Sequence, residues 1–349
     1  MVEAQIRVPT TEASGPVRSY NQIHSARKQT PGRRRVSVYV SWSFPGEANR
    51  DVAELDNRFA TMTEIRRAEW PGWEGAEWSG VTLFQQGIPG ALELFFRSWG
   101  PFQKLVGEVT GHVVPVFQRV DQAGFRLPLD DRVLGDADTV FVFGLDHLVT
   151  QQEASAAEIE ALTQWLTREG TCLVLGPHHD VGVSEDVAQR AMEHAHHGDA
   201  LVPRQQRLGW YTRSLMSGLG VPVENRYGLR PGVVEGTRRI APLTISRDLD
   251  TRRWLEGVTN FSFHKHLPHY AVTSKNPRGV HVLARQPIDL RKPHPFTEGG
   301  DREFNTFIWM PPAGRRAGDI LVVDSTVFST LFGADDSLQR FWKNLAMAK

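Results

Sequence analysis

Cysteine is almost missing from this chain: Cys172 stands alone in 349 residues. A single thiol excludes an internal disulfide and fits a reducing compartment. Net charge is missing as well, with Lys+Arg and Asp+Glu at 40 each, so nothing in the balance favours nucleic acid or an anionic membrane as a partner. No apolar run approaches the roughly 20 residues of a membrane-spanning helix, and the N-terminus lacks the apolar core of a secretory signal. No Gly-x-Gly-x-x-Gly follows a strand and no Walker sequence is present, nor is there a Gly-x-Ser-x-Gly elbow, so nucleotide cofactors are not implied. These absences lead to the expectation of a cytoplasmic protein whose partner is a small molecule.

What is present divides the chain in two. Residues 1–35 carry seven basic residues against two acids, without periodicity, and read as a basic extended arm. Arg33-Arg34-Arg35 lacks the aromatic interleaving of a nucleic-acid segment, so the arm is expected to be a mobile tail or to lie over the partner subunit at an interface of a homo-oligomer. Residues 36–349 are enough for a full core and read as one α/β domain with an irregular insertion at about 222–315. Five of the ten tryptophans fall in the first hundred residues.

The domain is organised around 139–182. Thr139–Phe143 and Thr171–Leu175 are continuous apolar runs, as strands buried on both faces require. Between them Ile159, Leu162, Trp165 and Leu166 form a helical stripe. Thr150 with Glu153, or Ser155 with Glu158, offers a capping box, and Gly170 suits a left-handed C-terminal cap. Such a strand–helix–strand unit makes a parallel crossover. Val36–Val40 and Asp319–Val323 add two buried strands. Helices are expected at 51–68, from Pro89 to about Gly107 with a break at Gly100-Pro101, from Ser184 to His197, from Arg204 to Leu219, and from Asp336, where Leu338, Phe341, Trp342 and Leu345 keep helical spacing.

The Thr139 strand, the Glu158–Leu162 helix, the Gly170–His179 run, the helix ending Leu219-Gly220-Val221 and the finish Gly318–Phe328 with Asn344 together resemble the class I glutamine amidotransferase-like superfamily, in its ThuA-like, non-glutaminase branch. The resemblance implies a flavodoxin-like three-layer α/β/α sandwich with a mostly parallel central sheet and a site at the strand ends. It does not supply a reaction. A glutaminase needs a cysteine thiolate on a sharp turn, whereas Cys172 lies inside a strand, where it should be buried and unreactive. His178 and His179 occupy the turn, as a histidine does in ThuA-like proteins.

Four loops at strand carboxyl ends, after Val40, Phe143, Leu175 and Val323, carry polar side chains, and open α/β sheets bind ligands there. The catalytic candidates are His178 and His179, as general base or metal ligand, with Asp146, His147 and Glu47 to position or protonate. Because sequence neighbours diverge, one histidine at most, with Asp180, is expected at a single point. Ser43, Asp180, His269 and Ser325 are candidates for substrate binding, with Asp324-Ser325-Thr326 also able to cap the following turn. On a strand His264 and His266 share a face and form a candidate pair for a divalent metal, with Pro268 leaving His269 in a loop. His194, His196 and His197 read as a solvated helix end, and Glu298, Asp301 and Glu303 as a solvated loop. Two functions stand on these residues. One is a hydrolase or lyase acting on a small polar molecule by histidine acid–base chemistry, with a divalent metal as an optional cofactor. The other is a non-catalytic ligand-binding or assembly module.

Overall fold

The computed structural model describes residues 26–42, 97–120, 126–146, 148, 151–198, 207–261, 266–274, 279–331 and 333–347. In chain order the elements are β1 (Val36–Ser41), α1 (97–110), β2 (Val116–Gln118), α2 (Asp131–Leu134), β3 (Thr139–Gly144), α3 (Ala156–Trp165), β4 (Cys172–Pro177), α4 (Val187–His197), α5 (Trp210–Gly218), β5 (Val223–Leu229), β6 (Thr244–Ile245), β7 (Leu267–Val272), β8 (His281–Pro287), α6 (Pro295–Glu298), β9 (Glu303–Met310), β10 (Asp319–Val323), a 3-10 turn (Ser325–Phe328) and α7 (Asp336–Met347).

The main sheet has the order β2-β1-β3-β4-β10-β9-β8-β6. From β2 to β10 the strands run parallel, and β9, β8 and β6 extend the sheet antiparallel. The apolar runs of β1, β3, β4 and β10 are buried throughout, because both faces are covered. Val38, Phe141, Val174 and Leu321 pack with Trp99 and Phe102 of α1 and with Phe341 and Trp342 of α7. Their neighbours Tyr39, Val140, Leu173 and Ile320 pack on the other face with Leu162 and Trp165 of α3 and Tyr211 and Leu215 of α5. Each such buried aliphatic or phenyl group contributes roughly 1.5–3 kcal/mol. The result is the flavodoxin-like three-layer α/β/α sandwich, with a mostly parallel central sheet.

Local signals fix several boundaries. Ser155, not Thr150, caps α3, with a capping box to Glu158. α4 starts two residues later than Ser184 suggests, at N-cap Asp186, and stops at Gly198, whose φ of 69° is left-handed. α5 is shorter than expected because Gly209 precedes it at a φ of 72°. α1 runs through Gly100-Pro101 without the expected break. Burial of Trp99, Phe102 and Val106 outweighs the local propensity. The expected helix at 51–68 lies outside the described residues.

The span 222–315, expected as an irregular insertion, carries five strands, of which β6, β8 and β9 complete the main sheet and β5 and β7 pair as a separate antiparallel ribbon. Its regularity is hidden because β5 and β7 shift register between Asn225 and Gly228, β8 and β9 shift register around Ala284, and Pro268 sits inside β7. A ribbon edge has no ladder bond for proline to remove. The ribbon is tied to the sheet where β4 ends: the Tyr270 hydroxyl donates to Pro177 O at 3.1 Å and Asn305 Nδ2 donates to Tyr270 O at 2.9 Å.

The basic residues closing the arm have structural partners at the opposite end of the sheet. Arg27 pairs with Asp136 and Arg35 with Asp138, at 2.9 and 2.7 Å, and Arg34 donates to Asp138 O and Gly170 O. Residues 1–25 lie outside the described residues. Among the described residues no helix is long and apolar enough to cross a membrane.

Candidate functional site

The site begins where β4 stops behaving as a strand. His178 N still donates to Gly144 O of β3 at 3.1 Å, but Asp180 N donates to Arg226 O of β5, and Gly228 N donates back to Asp180 O at 2.9 Å. Residues 178–180 therefore leave one ladder and join another. This removes the strict alternation of side chains that a strand imposes. The expectation that adjacent histidines diverge fails for that reason: His178 and His179 turn to the same place, with ring centroids 3.9 Å apart. Gly228 makes room for them, since a Cβ there would stand 2.2 Å from His179 Cδ2.

Four imidazoles gather. His266 lies just before β7, with its ring 4.5 Å from that of His179, and one ligating atom each from His178, His179 and His266 lie within 4.8 Å of one another. His197, the last residue of α4, stacks on His266 at 3.9 Å and brings its Nε2 to 2.9 Å from His179 Nε2. His197 is nearly fully buried, and burial first, then the neighbouring His178, His194, His196 and Arg230, push its pKa down to about 3. It is a neutral ring whose Nδ1 has no hydrogen-bond partner among the described residues.

Asp324, where β10 ends, stands behind His178, its Oδ1 3.0 Å from His178 Nδ1. Asp324 also accepts from Thr326 N at 3.3 Å and from the Thr326 hydroxyl, so it both caps the 3-10 turn and orients the ring. A carboxylate on Nδ1 makes that nitrogen the donor and leaves Nε2 with its lone pair, ready to hold a proton or a metal. Gly176 brings β4 and this turn together, as a Cβ there would meet Ser325 N at 2.9 Å.

The remaining candidates fall in several places. Asp146 is fully buried and accepts from the Ser41 hydroxyl at 2.5 Å and from Tyr211 N at 2.9 Å. Burial raises its pKa against those two donors, and it serves the N-terminus of α5. Asp180 pairs with Arg213 at 2.6 Å and accepts from Leu208 N, so its carboxylate is committed to α5 and not to the imidazoles. His269 lies within β7, correcting its expected place in a loop. Its Nδ1 accepts from Asn305 N at 3.2 Å, its ring meets Phe296 at 4.7 Å, and burial pushes its pKa down to about 4. Ser325 opens the 3-10 turn, and its buried hydroxyl has no hydrogen-bond partner among the described residues. Glu47, Ser43, His147 and His264 lie outside the described residues, and of the expected His264–His266 pair only His266 is described, beside His178 and His179.

The solvated helix end expected at His194–His197 is also corrected, because His196 and His197 are buried. His196 is clamped: its Nδ1 donates to Lys292 O at 2.6 Å while its Nε2 accepts from Arg230 N at 2.9 Å. The two bonds fix the tautomer and hold the last turn of α4 against the site. His197 is the residue the sequence reading missed. Its signal was placement: a helix ending at Gly198, directly after a loop bearing His178 and His179. Cys172 behaves as expected, buried in β4 with its thiol pushed up to about 12 by burial, so it supplies no thiolate at neutral pH.

No protein-family model matches the chain, and no curated protein matches it. Among solved structures, the crystal structure of a protein from Bacteroides uniformis ATCC 8492, described as ThuA-like, is similar over 92% of this chain and 93% of its own. The TM-score is 0.37 and the identity 9%. A likeness at that level says nothing about chemistry.

Proposed function

We propose that this protein is a hydrolase or lyase that acts on a small polar molecule by histidine acid–base chemistry. The observation that supports this best is the His178–Asp324 pair, set among three further imidazoles at the carboxyl edge of a parallel sheet. Asp324 holds His178 Nδ1, so Nε2 is the nitrogen the reaction uses, to draw a proton from water or from a carbon next to a carbonyl group. The imidazolium character that develops on His178 is stabilised by the Asp324 carboxylate behind it. His197, held neutral by burial and stacked on His266, is a further group that can exchange a hydrogen bond with a polar substrate.

The test is a panel of esters, lactones, amides and β-hydroxycarbonyl compounds. The expected result is a turnover that falls about 10²–10⁴-fold in His178→Ala, and clearly in Asp324→Asn, with unfolding transitions near wild type. Full activity in both variants would overturn the assignment. Thermal stabilisation by a panel compound without any turnover would favour the non-catalytic binding module.

A further inference from the structure

We propose that His178, His179 and His266 form the binding site of one divalent transition-metal ion. The proposal rests on reading the same site as the reactive one and changes the part of His178 in it: with Nε2 on the ion, the ion and not the ring would activate water.

The distances carry it first. The three ligating nitrogens already lie within 4.8 Å of one another. Bonds of about 2.0–2.1 Å in a tetrahedral centre put the nitrogens roughly 3.3 Å apart, so small ring rotations inwards, of about an ångström, close the set. The three come from two elements that the backbone holds together, the end of β4 and the start of β7, and the Tyr270 hydroxyl ties β7 to Pro177 O at 3.1 Å. His178 and His266 are each 9% exposed while His179 is 1% exposed, so the set is largely enclosed.

The surroundings carry it second. Metal-bound imidazoles as a rule donate their other ring nitrogen to an orienting group. Asp324 is that group for His178, and His197 Nε2 stands 2.9 Å from His179 Nε2 in the same relation. Histidines that merely pack here do something else: His196, His269 and His294 each accept from a backbone N–H. Gly228 leaves His179 its position, since a Cβ there would stand 2.2 Å from His179 Cδ2.

The donor chemistry selects the ion. Three neutral imidazoles suit zinc, iron, cobalt, nickel or copper, whereas calcium and magnesium require oxygen ligands. Three protein ligands leave a position open, as in catalytic centres, and an ion there lowers the pKa of bound water towards neutrality.

The experiment uses the full chain, stripped with a chelator, dialysed, and titrated with Co²⁺ by visible absorption and with Zn²⁺ by calorimetry. One equivalent of each, with ligand-field bands for Co²⁺, is the expected result. His179→Ala and His266→Ala should weaken binding at least about 100-fold, and Asp324→Asn about 10–100-fold. A variant that fails to fold also reads as no binding, so the wild-type titration decides first: no stoichiometric uptake overturns the site. Variants that bind as tightly as wild type overturn it equally. Turnover at full rate in chelator with no ion bound would remove the metal and leave the acid–base reading standing. A bound ion without any turnover would support the site and sink the enzyme reading.

Discussion

The most exposed commitment concerns a buried ion pair away from the histidines. Arg119 follows β2 and is 7% exposed; its guanidinium reaches Glu158, which is 2% exposed, donates to Glu153 O at 2.9 Å and lies 3.9 Å over the Tyr211 ring. Glu158 also accepts from Leu129 N, Tyr211 Oη and Ser155 N at 3.1, 2.8 and 2.9 Å. Burial alone would push its carboxyl up, but Arg119 and those N–H groups outweigh burial and hold it below the usual range. Arg119→Met removes the cation and leaves the carboxylate buried. Two outcomes compete. Keeping the charge unpaired costs about 3–5 kcal/mol. Protonating an ordinary glutamate at pH 7 costs about 1.36 × (7.0 − 4.3), or roughly 3.7 kcal/mol. The cheaper route sets the loss at roughly 3–4 kcal/mol at pH 7. At pH 5 protonation costs only about 1 kcal/mol, so the deficit relative to wild type should shrink towards that figure. The sign follows from linkage: a carboxyl with a depressed folded pKa contributes stability above its unfolded pKa and loses it as pH falls. Urea unfolding of wild type and variant at both pH values measures this. A loss under about 1 kcal/mol at pH 7, or one that does not change with pH, would refute the reasoning, and Arg119→Met with Glu158→Leu should recover much of the stability.

Two further outcomes test the site's packing and its titration. Gly228→Ala places a methyl 2.2 Å from a ring that is 1% exposed; the expected cost is about 1–3 kcal/mol, with the nitrogen resonances of His179 and His197 displaced in ring-nitrogen NMR. Gly100→Ala, whose added methyl meets nothing within 4 Å, is the control, and equal spectra for the two variants would discard the contact. Second, burial pushes His269 to about 4 and His294 to about 3, the latter helped by His196. Their folded pKa values lie below the unfolded 6.5 or so, so the unfolded chain binds more protons and stability falls as pH drops below about 6.5, by roughly 2 kcal/mol per group at pH 5. Denaturant titrations should show His294→Asn, which keeps a capping acceptor, losing part of that slope; a stability flat from pH 7 to pH 5 would contradict it.

The parallel half of the sheet was legible because burial on both faces forces unbroken apolar runs, and Thr139–Phe143 and Asp319–Val323 carry them plainly. Caps were legible where chemistry is local, as at Ser155–Glu158 and Gly198. The ribbon was not, because Pro268 and the register shift at Asn225–Gly228 break the period on which strand reading depends. The end of α1 was misread for a similar reason: Pro101 is a local signal, while the packing of Trp99 and Phe102 against Phe143 and Phe141 is set by residues about 40 positions away. Placement of His178 and His179 at a strand end was readable. Their convergence was not, since it depends on Asp180 pairing with Tyr227 of β5.

Seven histidines are buried among the described residues, and the groups their rings are seen to meet separate them into two kinds. His196, His269 and His294 satisfy backbone groups of Lys292 and Arg230, Asn305, and Phe296. Each replaces a water that a loop would otherwise need, and each is explained by the fold. His178, His179, His197 and His266 instead face one another, with Asp324 behind the first. Packing alone does not account for them, since apolar rings of the same size would fill that volume without the cost of burying ring nitrogens. The division also predicts how damage should sort. Substitutions in the first group lower stability and leave whatever the crevice binds or turns over in proportion to folded protein. Substitutions in the second group remove function from protein that still folds. If His269→Ala and His266→Ala behaved alike in both respects, the separation of scaffold from site, and with it the assignment of chemistry to this crevice, would be lost.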